Sequence, residues 1–185
     1  MDKKELRKEV RAKIRNMDPV YRDKSDSGIF ANLTALPEFK SADTIFAYFS
    51  VKGEADTMKA IEFALKEGKK VALPVITGMG QMVFALTQSE ELVAGAFYSI
   101  PEPDENSPRI EPKEGDLLIV PALCFDENKY RLGQGAGFYD RYLEKYQDVL
   151  FTAGLCRDEL LMDNVPREDH DKGVDCVVTE SRVIR

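Results

Sequence analysis

The sequence predicts one Rossmann-like α/β domain over residues 1–185, a three-layer α/β/α fold with a mainly parallel sheet. Three observations lead there. Short apolar runs rich in β-branched residues alternate along the chain with amphipathic stretches of helical period. Thr44–Phe49, the stretch from Asp56 to Glu67 and Lys70–Val75 form a strand–helix–strand unit with short connections, which requires a parallel pair and a right-handed crossover. Leu117–Val120 is apolar at both parities, as suits a strand covered on both faces.

Taken in order, residues 2–16 read as a helix, with Leu6, Val10 and Ile14 on one stripe and Met17 continuing it. Lys3, Arg7, Arg11 and Arg15, four apart, form a basic stripe that is either a solvated face or a contact for an anionic ligand. Asp18-Pro19 sets an N-cap followed by proline at the first helical position, starting a second helix that ends near 33–36, before Pro37. Thr44–Phe49 is the next strand. The helix from Asp56 to Glu67 buries Met58, Ile61 and Leu65, and Gly68 closes it. Glu54 lies where that strand gives way to the helix, so it is either a ligand contact at the carboxyl edge of the sheet or a helix-start carboxylate favoured by the macrodipole. Gln81–Leu86 alternates, with Met82, Phe84 and Leu86 facing one way. Residues 89–112 carry four prolines and read as a long irregular loop. Leu150–Leu155 and Val174–Thr179 are strands. Asp158–Met162 reads as a short helix, and 165–172 as a polar segment.

The stretch 116–146 carries the chemistry. Its apolar run continues past Pro121 through Ala122–Phe125, and residues 126–137 read as a loop. From Phe138 the pattern is helical, with Tyr139, Tyr142 and Tyr146 on one face. Gly133, Gly135 and Gly137 give the spacing G-x-G-x-G between strand and helix, preceded by Lys129 and Arg131 and followed by Asp140 and Arg141. Strand, glycine loop and helix can present backbone N–H groups to a phosphate. The pattern lacks the Gly-Lys-Ser/Thr of a Walker loop, and its third glycine comes too early for the dinucleotide fingerprint. On spacing alone, a phosphate cradle and an ordinary loop remain equally open. The first helix and the segments 131–137 and 163–172 are expected to meet at one edge of the sheet.

Composition narrows the function classes. With 33 acidic against 26 basic residues the formal charge is −7, which argues against a general nucleic-acid surface. No apolar run approaches membrane-spanning length and no signal peptide opens the sequence, so a cytoplasmic protein without a membrane partner is expected. Cys124, Cys156 and Cys176 are scattered, which fits a reducing compartment, and Cys124 and Cys176 sit in apolar runs as buried thiols. One histidine, His170, argues against multi-histidine mechanisms and histidine-rich zinc sites.

These residues together resemble the 5-formyltetrahydrofolate cyclo-ligase family, also called methenyltetrahydrofolate synthetase. The likeness runs over nearly the whole chain: K-K-E-L-R at 3–7, S-x-x-x-E-x-D-T at 50–57, G-x-x-x-x-x-P-E-P at 95–103, P-A-L-C-F-D at 121–126, R-L-G-x-G-x-G-x-Y-D-R at 131–141 and H-D-x-x-V-D at 170–175. The 131–141 block is the most specific. The resemblance implies cyclisation of 5-formyltetrahydrofolate to 5,10-methenyltetrahydrofolate with ATP as co-substrate and Mg²⁺ as cofactor, through a phosphorylated formyl intermediate on whose carbon N10 closes the ring as phosphate leaves. The same resemblance implies ATP contacts from Lys3, Lys4 and Arg7 and from Arg131, Leu132, Gly133, Gln134, Gly135, Ala136, Gly137, Phe138 and Tyr139. It further implies folate contacts from Phe49, Glu54, Gln134 and Phe138, catalytic roles for Arg131 and Tyr139, and Mg²⁺ at Asp140 and Asp171. A carboxylate such as Glu54 suits the pterin, whose ring N–H and amino group offer two parallel donors. The chain departs from the family at Lys129 and Ala136, where glycine is usual, and at Gln134, where a tyrosine or basic residue is common. Phe138 replaces a common tyrosine, and Leu160 a usual glutamine.

A monomer is expected, with 5-formyltetrahydrofolate and ATP as ligands. Two other readings share the architecture: a sugar-phosphate isomerase or CoA-transferase relative, and a non-catalytic folate or nucleotide binder. ATP consumption separates the first from a cyclo-ligase, and tight folate binding without turnover marks the second.

Overall fold

A computed structural model describes residues 2–87, 92–95 and 99–185. The first helix, α1 (Lys3–Asn16), opens on a reciprocal cap: the Asp2 side chain accepts from the Glu5 N–H, and the Glu5 side chain accepts from the Asp2 N–H. As the sequence predicts, Asp18 caps α2 (Pro19–Ala35) through the Val20 N–H. A short α3 (Pro37–Ser41) follows, started by Pro37, which from the sequence marks only the end of α2, because proline is equally suited to a first helical turn.

Among the described residues the central sheet has eight strands in the order β13–β12–β10–β7–β1–β2–β3–β6. They are β1 (Thr44–Phe46), β2 (Lys70–Gly78), β3 (Gln81–Leu86), β6 (Arg109–Ile110), β7 (Leu117–Val120), β10 (Phe151–Leu155), β12 (Cys176–Val178) and β13 (Val183–Ile184). The run β12–β10–β7–β1–β2 is parallel, and β13, β3 and β6 pair antiparallel at its two sides. Helix α4 (Met58–Lys66) makes the crossover from β1 to β2. Alternate strand residues divide two cores. Phe46, Ala72, Leu118, Val120 and Val177 pack with Leu6 and Val10 of α1 and with Tyr142 and Leu143 of α5 (Phe138–Tyr146). Ile45, Val71, Leu73, Leu117, Ile119, Cys176 and Val178 pack with α2, α3 and α4. Helices on both faces of one mostly parallel sheet confirm the predicted class.

Four readings are corrected. The apolar run 117–125 is two strands: beyond Val120 the chain leaves the sheet, and β8 (Cys124–Asp126) joins a separate three-stranded sheet with β9 (Arg131–Leu132) and β11 (Leu161–Met162). The segment 126–137 is consequently half hairpin, since β8 and β9 flank a turn in which Asp126 Oδ1 accepts the N–H groups of Asn128 and Tyr130 and Lys129 takes φ +68°. Only 133–137 is a glycine loop. Within 89–112, β4 (Leu92–Ala94) pairs with β5 (Pro101–Pro103), and β6 extends the main sheet. Residues 89–91 and 96–98 of that predicted loop lie outside the described residues. Asp158–Leu160 is one turn of 3-10 helix that passes into β11, not a helix to Met162. In each case strand pairing, with β9, β5, β3 or β8, overrides the local pattern.

Candidate functional site

A cleft of about 1080 Å³ opens at the carboxyl edge of the parallel strands. Its floor comes from Phe49 and Glu54 beyond β1, Pro74 and Ile76 in the last half of β2, and Pro121 and Ala122 beyond β7. One wall is the start of α1, and the opposite wall is the glycine loop 133–137 with the first turn of α5. Every site residue named from the sequence borders this cleft: Lys3, Lys4, Arg7, Phe49, Glu54, the run 131–140 and Asp171. Lys129, which the sequence placed beside the glycines, does not, because the hairpin turn carries it away.

The three predicted segments meet through specific bonds. Arg7 Nε donates to the Gly133 carbonyl at 2.9 Å, so its terminal nitrogens lie along the glycine loop. A Cβ on Gly135 would stand 3.5 Å from the Arg7 guanidinium carbon, and Gly135 takes φ +108°, where a side chain is strained. Arg11 donates to the Gln134 amide oxygen at 2.8 Å. Lys3 Nζ donates to both Asp171 oxygens, at 2.9 and 2.6 Å. Arg131, on β9, ion-pairs Asp140 of α5 and donates to the Lys172 carbonyl at 2.6 Å. Burial of Asp171 alone would raise its carboxyl, but Lys3, the Glu168 N–H and His170 outweigh that and hold it below the usual carboxylate range. The basic stripe of α1 therefore divides: Lys3 and Arg7 face the cleft, Arg11 braces the loop, and Arg15 lies on a separate exposed groove of the same helix.

Asp140 is thus not a lone carboxylate awaiting a cation. It sits in the first turn of α5, behind Gly137 at φ +69°, with Arg131 already beside it. Burial lowers the Arg131 pKa and Asp140 opposes that shift, so the guanidinium remains charged.

Glu54 is not a helix-start residue. Helix α4 begins at Met58 and has no acid in its first turn. The carboxylate accepts the Val51 N–H at 3.1 Å, and burial raises its pKa above the ordinary range despite that bond. Beside it the Tyr139 ring is half-buried, while its hydroxyl is sealed from solvent with no hydrogen-bond partner. Burial, and then the Glu54 charge, raise the Tyr139 pKa, so the hydroxyl stays protonated and can donate.

The sequence missed the far wall. Met82 of β3, Ile100 and Glu102 line it. Glu102 is buried at 8% exposure and accepts the Ile76 N–H at 3.4 Å. The P-E-P motif at 101–103 was a signal, but on sequence it sat inside a segment read as irregular.

The sequence profile of the 5-formyltetrahydrofolate cyclo-ligase family matches residues 1–180. A probable 5-formyltetrahydrofolate cyclo-ligase of Schizosaccharomyces pombe is 31% identical, covering 100% of this chain and 98% of its own. The 5-formyltetrahydrofolate cyclo-ligase of Escherichia coli K12 is 30% identical over 94% of this chain and 98% of its own. Among solved structures, a 5,10-methenyltetrahydrofolate synthetase from Aquifex aeolicus superimposes with a TM-score of 0.87 at 34% identity, covering 100% of this chain and 93% of that one.

Proposed function

Because the chain belongs to the 5-formyltetrahydrofolate cyclo-ligase family, we propose that this cleft closes the ring of 5-formyltetrahydrofolate with ATP as co-substrate and Mg²⁺ as cofactor. The observation that carries this reading is the convergence of Lys3 and Arg7 of α1 with Arg131 and the glycine loop on one cleft, with a half-buried carboxylate, Glu54, on its floor.

Little covalent chemistry is asked of the protein. The formyl oxygen attacks the γ-phosphorus and ADP leaves. N10 then adds to the formyl carbon, phosphate departs with the former formyl oxygen, and N10 gives up its proton. Such a sequence is accelerated mainly by alignment and by fixed charge where charge develops. Arg7 and Lys3 offer charged donors to the phosphates, held in place by Gly133 and Asp171. The open space over Gly133 and the positive φ of Gly135 let the loop backbone approach a phosphate closely. Tyr139 offers its unpartnered hydroxyl as a donor next to the folate side. Glu54 accepts from the two-donor edge of the pterin, and Phe49 supplies an apolar face.

Asp140 and Asp171 fit a magnesium ion. Both line the cleft, each paired with a cation, Arg131 or Lys3, and would offer it carboxylate oxygens, since Mg²⁺ takes one or two carboxylates with substrate phosphates and water completing its shell. The ion would neutralise phosphate charge as ADP departs.

The test is direct: protein, 5-formyltetrahydrofolate, ATP and Mg²⁺ are mixed and the methenyl absorbance is followed. The reading predicts product that requires both ATP and Mg²⁺. Product formation without ATP, or ATP-independent folate binding with no turnover, would overturn it.

A further inference from the structure

Glu54 stands in a segment with no regular secondary structure, between the end of β1 and the start of α4. Its neighbours' carbonyls are nonetheless all held. Arg157, in the turn after β10, donates to the Gly53 carbonyl at 3.1 Å and to the Glu54 carbonyl at 2.9 Å. The Tyr48 hydroxyl donates to the Ala55 carbonyl at 2.9 Å. Arg157 is in turn fixed by Asp26 of α2, whose Oδ1 accepts its Nη2 at 2.7 Å and also the Asp56 N–H at 3.2 Å. Gly53, at φ +105°, lies so close to Ile14 of α1 that a Cβ there would meet Ile14 Cγ2 at 2.9 Å. The Glu54 loop is therefore caught between α1, α2 and the β10 turn.

Arg157 is 3% exposed, and neither it nor Asp26 borders the cleft. An arginine that reads two successive carbonyls needs its planar fork, since a lysine ammonium is a single point charge. The cost is visible: Arg157 Nε is buried without a partner, and burial raises the Asp26 carboxyl although Arg157 opposes that shift. A buried ion pair of this kind is a poor route to stability and a better one to fixed geometry.

We infer that the Arg157–Asp26 pair is a positioning device for Glu54, and that it sets the affinity of this enzyme for its folate substrate without touching that substrate. The inference rests on the reading of Glu54 as the pterin contact. Arg157 reaches across from the far side of the loop and determines where the Glu54 Cα, and hence its carboxylate, stands.

The test compares Arg157→Lys, Glu54→Gln and the double variant, with KM measured separately for 5-formyltetrahydrofolate and ATP. Arg157→Lys is expected to raise the folate KM by about tenfold, equivalent to roughly 1.4 kcal/mol, while the ATP KM stays within about twofold, an effect of at most about 0.4 kcal/mol. In the Glu54→Gln background it is expected to raise the folate KM no further, because the contact it positions is already gone. If Arg157→Lys does not fold, Asp26→Asn, which keeps the hydrogen-bonding shape and removes the charge, takes its place. An additive effect in the double variant, a parallel rise in both KM values, or an unchanged folate KM would each overturn the inference and leave the pair a structural one. Should Glu54→Gln alone leave the folate KM unchanged, the pterin reading of Glu54 fails first, and the positioning role fails with it.

Discussion

The Tyr139 hydroxyl is buried with no hydrogen-bond partner, and the Glu54 charge is near enough to help raise its pKa. An unsatisfied buried hydroxyl costs roughly 1–3 kcal/mol. That cost is present in the free protein and relieved when a ligand accepts the proton. Tyr139→Phe removes only the oxygen and keeps the ring that packs against the α5 core. The free variant should therefore be more stable, and in a chain of this size each kcal/mol raises the midpoint by about 2–4 °C. Turnover should move oppositely. A hydrogen bond to a charged group contributes roughly 1.5–3 kcal/mol, so kcat should fall about ten- to a hundredfold. Thermal melting without ligand and a methenyl absorbance assay measure the two effects on one preparation. A variant that melts lower and turns over normally would show the hydroxyl to be a structural group with a solvent partner, and would refute the reasoning.

Glu54→Gln should weaken folate binding and spare ATP. Because burial raises the Glu54 pKa, its ionised form is disfavoured in the fold, so the stabilising contribution lies below the unfolded pKa and is lost as pH rises. The variant should therefore melt higher at neutral pH. In the parent enzyme the folate KM should climb on acidification sooner than an ordinary glutamate allows, and that dependence should vanish in the variant. Asp140→Asn strips the countercharge from Arg131, whose side chain is 4% exposed. Loss of one buried partner costs roughly 3–5 kcal/mol, with this half-open pair at the low end. Melting will thus fall on any reading, and the discriminating measurement is a Mg²⁺ titration, which should shift to higher concentration. Arg7→Ala loses the bond to the Gly133 carbonyl as well as the phosphate contact, and should raise the ATP KM by about ten- to a hundredfold for the roughly 1.5–3 kcal/mol of one charged hydrogen bond. Unchanged ATP dependence in the folded variant would return the basic stripe to a solvated face.

Much of this was legible in the residues. Continuous apolar, β-branched runs placed the parallel strands and period-3.6 patterns the helices that cover them, since residues of both parities on those strands enter one core or the other. Asp18-Pro19 and the glycine triplet marked a cap and a loop by local chemistry alone. What escaped depends on distant partners. Strand β8 hides at the end of an apolar run that Pro121 barely interrupts and β9 in a polar, glycine-rich stretch, and their pairing is specified by Leu132 and Arg131 meeting Cys124 and Phe125. Asp140 looked unpaired because Arg131 is nine residues away on another element. Arg157 gave no signal, because one arginine in a polar turn looks solvated until the Gly53 and Glu54 carbonyls are seen behind it. The glycine pattern, by contrast, was informative and undecided, and only its meeting with Arg7 favours the phosphate reading.

The central claim is that this cleft joins the formyl oxygen of the folate to the γ-phosphate of ATP before the ring closes. It is tested most directly by following that oxygen. 5-Formyltetrahydrofolate labelled with ¹⁸O in the formyl group is turned over with unlabelled ATP and Mg²⁺, and the inorganic phosphate is examined by mass spectrometry. The account predicts that the label appears in the phosphate, one oxygen for each methenyl product formed. Label released into water, with phosphate carrying none, would contradict it.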